Sequence, residues 1–167
     1  TPHRDEWRDW YAVEARQLQN LLHDHIHAIA HIGSTAIPGI WAKPIIDILI
    51  EVADKTALQN AATILTAHGY LQMSASANRI SLNKGYTPQG FAERVFHIHL
   101  RLPDDHDEYE FRDYLQAHPD IAKQYEALKL SLLKRYEHDR DGYTAAKGDF
   151  IREITARAKA ENQSRLP

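Results

Sequence analysis

A chain of 167 residues, 43% apolar and 26% charged, has the material for one domain with a substantial core. Its formal net charge of -3, with lysine and arginine spread among the acids, lacks the basic bias that non-specific nucleic-acid or anionic-membrane binding requires. The absence of cysteine excludes disulfides, thiolate metal sites and a cysteine nucleophile, and with no membrane-length apolar run and a polar N-terminus that does not read as a signal peptide, a cytoplasmic location is expected.

From Glu6 to about Asp24 the apolar residues Trp7, Trp10, Leu18, Leu21 and Leu22 recur with the helical period, which predicts an amphipathic helix packed on a sheet. His23-Asp24-His25-Ile26-His27 then turns toward alternation. His25, His27 and His31 could line one strand face as a metal site, but they are expected at a helix end and on a half-exposed strand. A strand ending at Ile32 runs into Gly33-Ser34-Thr35, and a loop marked by Pro38, Gly39 and Pro44 leads to a second strand, Ile45 to Val52. A turn of Gly, Ser and Thr offers backbone N–H groups and two hydroxyls to a phosphate. The strand after it carries Asp47 among isoleucines, where a carboxylate needs a partner such as Lys43 or Arg79, or a metal ion held against that phosphate. Glu51 shares the face of Asp47, but at roughly 3.3 Å per residue their Cα atoms are about 13 Å apart, too far to share one ion. Glu51 is therefore expected as a solvated strand-end residue.

Asp54 is a candidate N-cap for a helix from Lys55 to His68 that Gly69 ends, and Tyr70 to Ala77 is ambiguous. Arg79 to Gly85 alternates as a strand, Thr87 to Gly90 reads as a turn, and Val95 to Leu102 alternates with His97, His99 and Arg101 on one face. His97 and His99, about 7 Å apart at Cα, can converge on one ion or phosphate. Three helical segments follow: Asp107 to Leu115, then Pro119 to about Tyr136, then Tyr143 to about Glu161, with Asp139 to Gly142 as a turn and Asn162 to Pro167 as a frayed tail. No linker divides the chain, so one domain over 1–167 is expected, its helical part starting near 107. The order of elements points to an α+β fold, a mixed sheet flanked by helices and followed by C-terminal helices.

The spacing Ile32-Gly33-Ser34 to Asp47-Ile48 resembles that of polymerase-beta-type nucleotidyltransferases, in which two acids flank one apolar residue; the second acid position here holds Leu49. The wording GSTAIPGIWAKPIIDI, with Phe96-His97-Ile98-His99-Leu100, Phe111 to Leu115 and Tyr143 to Ile151, resembles the GrpB family from about Trp7 to Ile154. That resemblance implies a nucleotidyltransferase fold whose His-rich strand stands where catalytic members carry a further acid. It also implies basic contacts at Arg79 and Lys84, phosphate contacts at Arg112 and Lys147, and a cofactor-related setting, since family members occur fused to dephospho-CoA kinase. The candidate site is then Asp47, His97 and His99 as catalytic or metal-binding residues, with Gly33, Ser34, Thr35, Lys43, Arg79, Arg112 and Lys147 around a phosphate. One carboxylate with imidazoles suits Mn²⁺ or Zn²⁺ better than Mg²⁺. Two functions are compatible with this set. One is metal-dependent nucleotidyl or phosphoryl transfer to a small acceptor. The other is a module that binds a nucleotide or phosphorylated metabolite without turnover, which the missing acid favours and the retained Asp47 and paired histidines do not. An interaction domain on the C-terminal helices has no positive sequence feature behind it.

Overall fold

The computed structural model describes residues 1–164. Five strands form one mixed sheet: β1 (Ala28–Ile32), β2 (Ile45–Glu51), β3 (Leu71–Ala75), β4 (Arg79–Thr87) and β5 (Gly90–Arg101), in the order β1-β2-β5-β4-β3. All neighbours are antiparallel except β2 and β5, which run parallel. The helices are α1 (Glu6–Leu22), α2 (Lys55–Ala67), α3 (Asp107–Ala117), α4 (Pro119–Arg135) and α5 (Arg140–Ser164). This is the expected α+β architecture.

The pleat of β2 sends Ile46, Ile48 and Ile50 to one face, where they bury against Trp7, Trp10, Leu18 and Leu22 of α1 and Leu58 and Leu65 of α2. Asp54 caps α2 by accepting the Ala57 N–H at 2.8 Å, as its place before the helical period predicts. Asp47, Leu49 and Glu51 point to the other face. A second core forms beyond it, in which Ile37 and Ile40 of the loop after β1 pack on Phe111, Tyr114, Leu115, Tyr125 and Ile154 of α3–α5. Helices therefore cover both faces, and the C-terminal three roof the Asp47 side.

Three local expectations are corrected. The turn at Asp139–Gly142 is the first turn of α5, because Asp139 accepts the Gly142 N–H on its side chain at 2.9 Å and the Tyr143 N–H on its carbonyl at 3.1 Å. Residues 162–164 of the expected tail continue that helix, and the rest of the tail lies outside the described residues. β4 and β5 are longer than their alternation suggested and meet at Thr87↔Gly90. His23–His25 forms a 3-10 turn after α1, while His31 sits in β1. No helix among the described residues is long and apolar enough to cross a membrane.

Candidate functional site

The parallel pairing of β2 with β5 sets Asp47 directly beside His97, with His99 two residues further along the same face. His99 donates its Nε2–H to Asp47 Oδ1 at 3.0 Å, and His97 Nδ1 lies 3.6 Å from the same oxygen. The other nitrogen of His97 is 2.9 Å from the Tyr86 hydroxyl. Burial opposes ionisation of Asp47, whose side chain is only 26% exposed, but the two imidazoles together outweigh it and hold the carboxyl down at about 2. A carboxyl with a folded pKa below its ordinary 3.8 contributes stability that is complete above that value and is lost as pH falls through about 2. Asp47→Asn should remove roughly 2 kcal/mol of this acid-sensitive stability. In urea unfolding at pH 6 and pH 2.5, the gap between wild type and variant should narrow to about a third at the lower pH; a gap that stays constant would mean the imidazoles do not hold the carboxylate.

The turn before β2 is built around this carboxylate. Gly33 has φ +78°, and a Cβ placed on it would lie 2.5 Å from Asp47 Oδ2. Thr35 is buried, and its hydroxyl donates to the Ile45 carbonyl at 3.1 Å while accepting from His31 Nε2 at 2.9 Å. Its hydroxyl ties the turn to β2, and the residue lines the cavity beside Ser34. His31 stacks on Tyr11 at 5.0 Å between ring centroids, and burial lowers its pKa to about 4, Asp47 working against burial and Arg112 with it. The imidazole is therefore neutral at pH 7, in the tautomer that carries its proton on Nε2 and donates it to Thr35.

Ser34 faces the opposite way, toward α4. Lys129 Nζ donates to Ser34 Oγ at 2.9 Å and to the Trp41 carbonyl at 3.1 Å, and lies 4.8 Å from the Tyr125 ring centroid. Burial, with repulsion from Lys147 and Lys43, lowers the Lys129 pKa to about 8, Glu126 working the other way. Burial also lowers that of Lys147, Asp47 opposing the shift and Lys43 adding to it. Ser34, Lys43, Asp47, His97, Lys129 and Lys147 all line a cavity of about 390 Å³. A second cavity, about 680 Å³, has Asp47, His99, Phe111, Tyr125, Lys147 and Lys159 among its walls. Ser34, Asp47 and Lys147 line both, so they stand at the junction of the two spaces.

Of the residues singled out from the sequence, Gly33, Ser34, Lys43, Asp47, His97, His99 and Lys147 come together. Arg79 does not: its guanidinium is held by Asp105 through two hydrogen bonds of 2.8 and 2.6 Å, near the far end of β5. Arg112 donates to the His31 carbonyl at 3.0 Å and to Asp113, and lines a separate depression beside Tyr11. Lys84 is bound to buried Glu14 at 2.8 Å, behind the sheet. Glu51 is not solvated either, being buried and paired with His106, whose helix α3 closes over that strand end. Lys129 was not singled out, although a signal existed: it stands four residues after Tyr125 on the apolar stripe of α4, a position where an unpaired lysine is costly.

The donors do not form a ready-made ion site. Both imidazoles are directed at one carboxylate oxygen, and among the described residues no group of three or more His, Asp or Glu side chains is arranged to hold a metal ion. Leu49, at the second acid position, is fully buried between Ala30 of β1 and His99 of β5.

The GrpB protein family model matches residues 1–157. The chain belongs to the GrpB family. The UPF0157 protein of Pseudomonas aeruginosa is 37% identical over 157 residues, covering 92% of this chain and 64% of that protein. The Bacillus subtilis UPF0157 protein YqkA is 34% identical over 166 residues, covering 98% and 48%. This GrpB chain thus spans about half to two thirds of the length of these relatives. The crystal structure of conserved protein GrpB from Enterococcus faecalis matches with a TM-score of 0.83 at 29% identity over 98% of both chains. Cid1 in complex with its short product ApU matches at a TM-score of 0.57 and 14% identity, covering 81% of this chain and 43% of that one. At that identity the likeness shows the nucleotidyltransferase fold alone.

Proposed function

We propose that this GrpB protein binds the phosphates of a nucleotide or phosphorylated metabolite in the cavity between the Ser34 turn and helices α4 and α5, and that it binds without catalysing transfer. Lys129, a buried cation fixed against Ser34 Oγ at 2.9 Å with Lys43 and Lys147 on the same walls, carries this reading. Concentrated positive charge in a partly dry cavity is costly unless an anion neutralises it. A phosphate group, with several acceptor oxygens, meets ammonium and hydroxyl donors together. Binding is preferred to transfer because in-line displacement on two metal ions needs bridging carboxylates. Leu49 supplies none, and Asp47 is already paired with both imidazoles.

One observation favours transfer as a second reading: an imidazole oriented by a carboxylate, His99 on Asp47 at 3.0 Å, is the arrangement of a general base. Calorimetric titration of ATP, GTP, CTP and UTP, with and without Mn²⁺, separates the two. The binding reading expects at least one nucleotide to bind without added ion and Lys147→Ala to weaken it at least ~10-fold. The transfer reading expects ion-dependent binding that Asp47→Ala abolishes, together with pyrophosphate release. If no nucleotide and no inorganic tripolyphosphate binds under any condition, the cavity does not serve phosphates.

A further inference from the structure

The rim of the lysine-lined cavity is apolar in a way that phosphate alone does not explain. Trp41, Leu130 and Leu133 are all exposed large apolar residues, and all three line this one cavity. Exposed apolar side chains gathered at one cavity mark a surface that a ligand covers. Trp41, 47% exposed, is the most costly of them to leave in water, and hydrogen bonds hold its backbone on both sides. Its backbone N–H donates to Glu126 Oε2 at 2.6 Å, and its backbone carbonyl accepts from Lys129 at 3.1 Å, the lysine that also holds Ser34. Tyr143 contributes a second aromatic ring to the lining. The cavity therefore joins a lysine-rich interior, with Asp47 and Glu126 among its walls, to a rim bearing an exposed aromatic on an anchored backbone.

Resting on the phosphate-binding reading, we infer that Trp41 is the stacking platform for a nucleobase, so that the ligand class is a nucleoside polyphosphate and not a sugar phosphate or phosphorylated acid. A base stacked on the indole would cover the exposed ring while its phosphates reach Lys129, Lys147 and Ser34. Stacking on an aromatic side chain tolerates any base, so the platform selects for a base without choosing among them. An acyl chain would also cover Leu130 and Leu133, but it would gain nothing specific from the flat face of an indole.

The chain's own tryptophans make the test direct. Trp7 and Trp10 are buried in the core behind the sheet, which leaves Trp41 as the indole a ligand at this cavity can touch. ATP and inorganic tripolyphosphate are titrated into the wild type, Trp41→Leu and Trp41→Phe, followed by calorimetry and by tryptophan emission. The inference expects ATP to bind the wild type about 10-fold more tightly than tripolyphosphate and to change the emission. Trp41→Leu should lose that preference, ATP then binding no more tightly than tripolyphosphate, and Trp41→Phe should keep most of it. ATP binding that leaves the emission unaltered, or an ATP preference that survives in Trp41→Leu, overturns the platform while the phosphate reading stands. Tripolyphosphate binding with no preference for ATP does the same. Failure of both ligands to bind the wild type removes the phosphate reading and the platform with it.

Discussion

Lys129→Met is expected to cost about 100-fold in affinity for tripolyphosphate or ATP and, at the same time, to raise the stability of the fold. Losing a charged donor to a phosphate oxygen costs about 1.5–3 kcal/mol, which sets the scale of the affinity change. The stability gain follows from the pKa. Lys129 titrates at about 8 in the folded protein against an ordinary 10.5, so the unfolded chain holds this proton more tightly. Keeping the ammonium in place then costs stability below pH 8, by about 3 kcal/mol, and the cost fades as pH rises from 8 to 10.5. Methionine preserves the aliphatic stem and removes the charge, while the bonds to Ser34 Oγ and the Trp41 carbonyl are lost. A net gain of about 1–3 kcal/mol at pH 7 should appear in urea unfolding and shrink toward pH 10. Phosphate affinity of the wild type should decline as pH rises above about 8, where free Lys129 loses its proton. A methionine variant that is less stable and still binds tripolyphosphate normally would show that the lysine serves the fold and not a ligand. A residue that weakens the protein it sits in, yet is held by two hydrogen bonds at the wall of a cavity, is best explained by what enters that cavity.

Gly33→Ala should damage the fold twice over, through its backbone and through its neighbour Asp47. At φ +78° and ψ -176° the backbone occupies a region that is essentially reserved for glycine, which costs an alanine about 1–3 kcal/mol before any contact is considered. The new Cβ would also meet Asp47 Oδ2 at 2.5 Å and Asp47 Cβ and Cγ at 3.1 Å. Asp47 cannot swing away cheaply, because β2 is hydrogen-bonded on both sides and His99 holds the carboxylate. The total should reach about 3–5 kcal/mol, or a Tm lower by roughly 10 °C. Adding Asp47→Ala to Gly33→Ala separates the two causes. It removes the carboxyl group from the collision and should recover the steric part, leaving the backbone strain. If Gly33→Ala costs as much in the Asp47→Ala background as it does in the wild type, the turn's glycine is required for its dihedral angles alone.

The two residues in these predictions differ in how far the sequence exposes them. Gly33 and Asp47 belong to one local motif, and its wording, with the alternation of His97 and His99, was enough to indicate the family, the fold and half of the cavity. Arg79 and Arg112 show where that reading stops. Each is a cation on an element beside the site, but Asp105 and the His31 carbonyl take them up. Glu51, by the same token, is withdrawn from solvent by His106. Side-chain partners drawn from distant elements leave no trace in local periodicity.

What the sequence determined by itself is therefore most of the elements, the ambiguous stretch that forms β3 excepted, and the face on which their key residues lie, because period and turn chemistry are local properties. It determined that Asp47 stands on a central strand, that a glycine-led turn precedes it, and that two imidazoles share one strand face. Only the tertiary structure decided that β5 lies parallel beside β2, which brings His97 and His99 onto Asp47. It also decided that α4 folds back to set Lys129 against Ser34, 95 residues earlier. Pairing and packing of that range depend on how whole faces bury against one another, and a lysine on an apolar stripe becomes a site only once the cavity it closes exists.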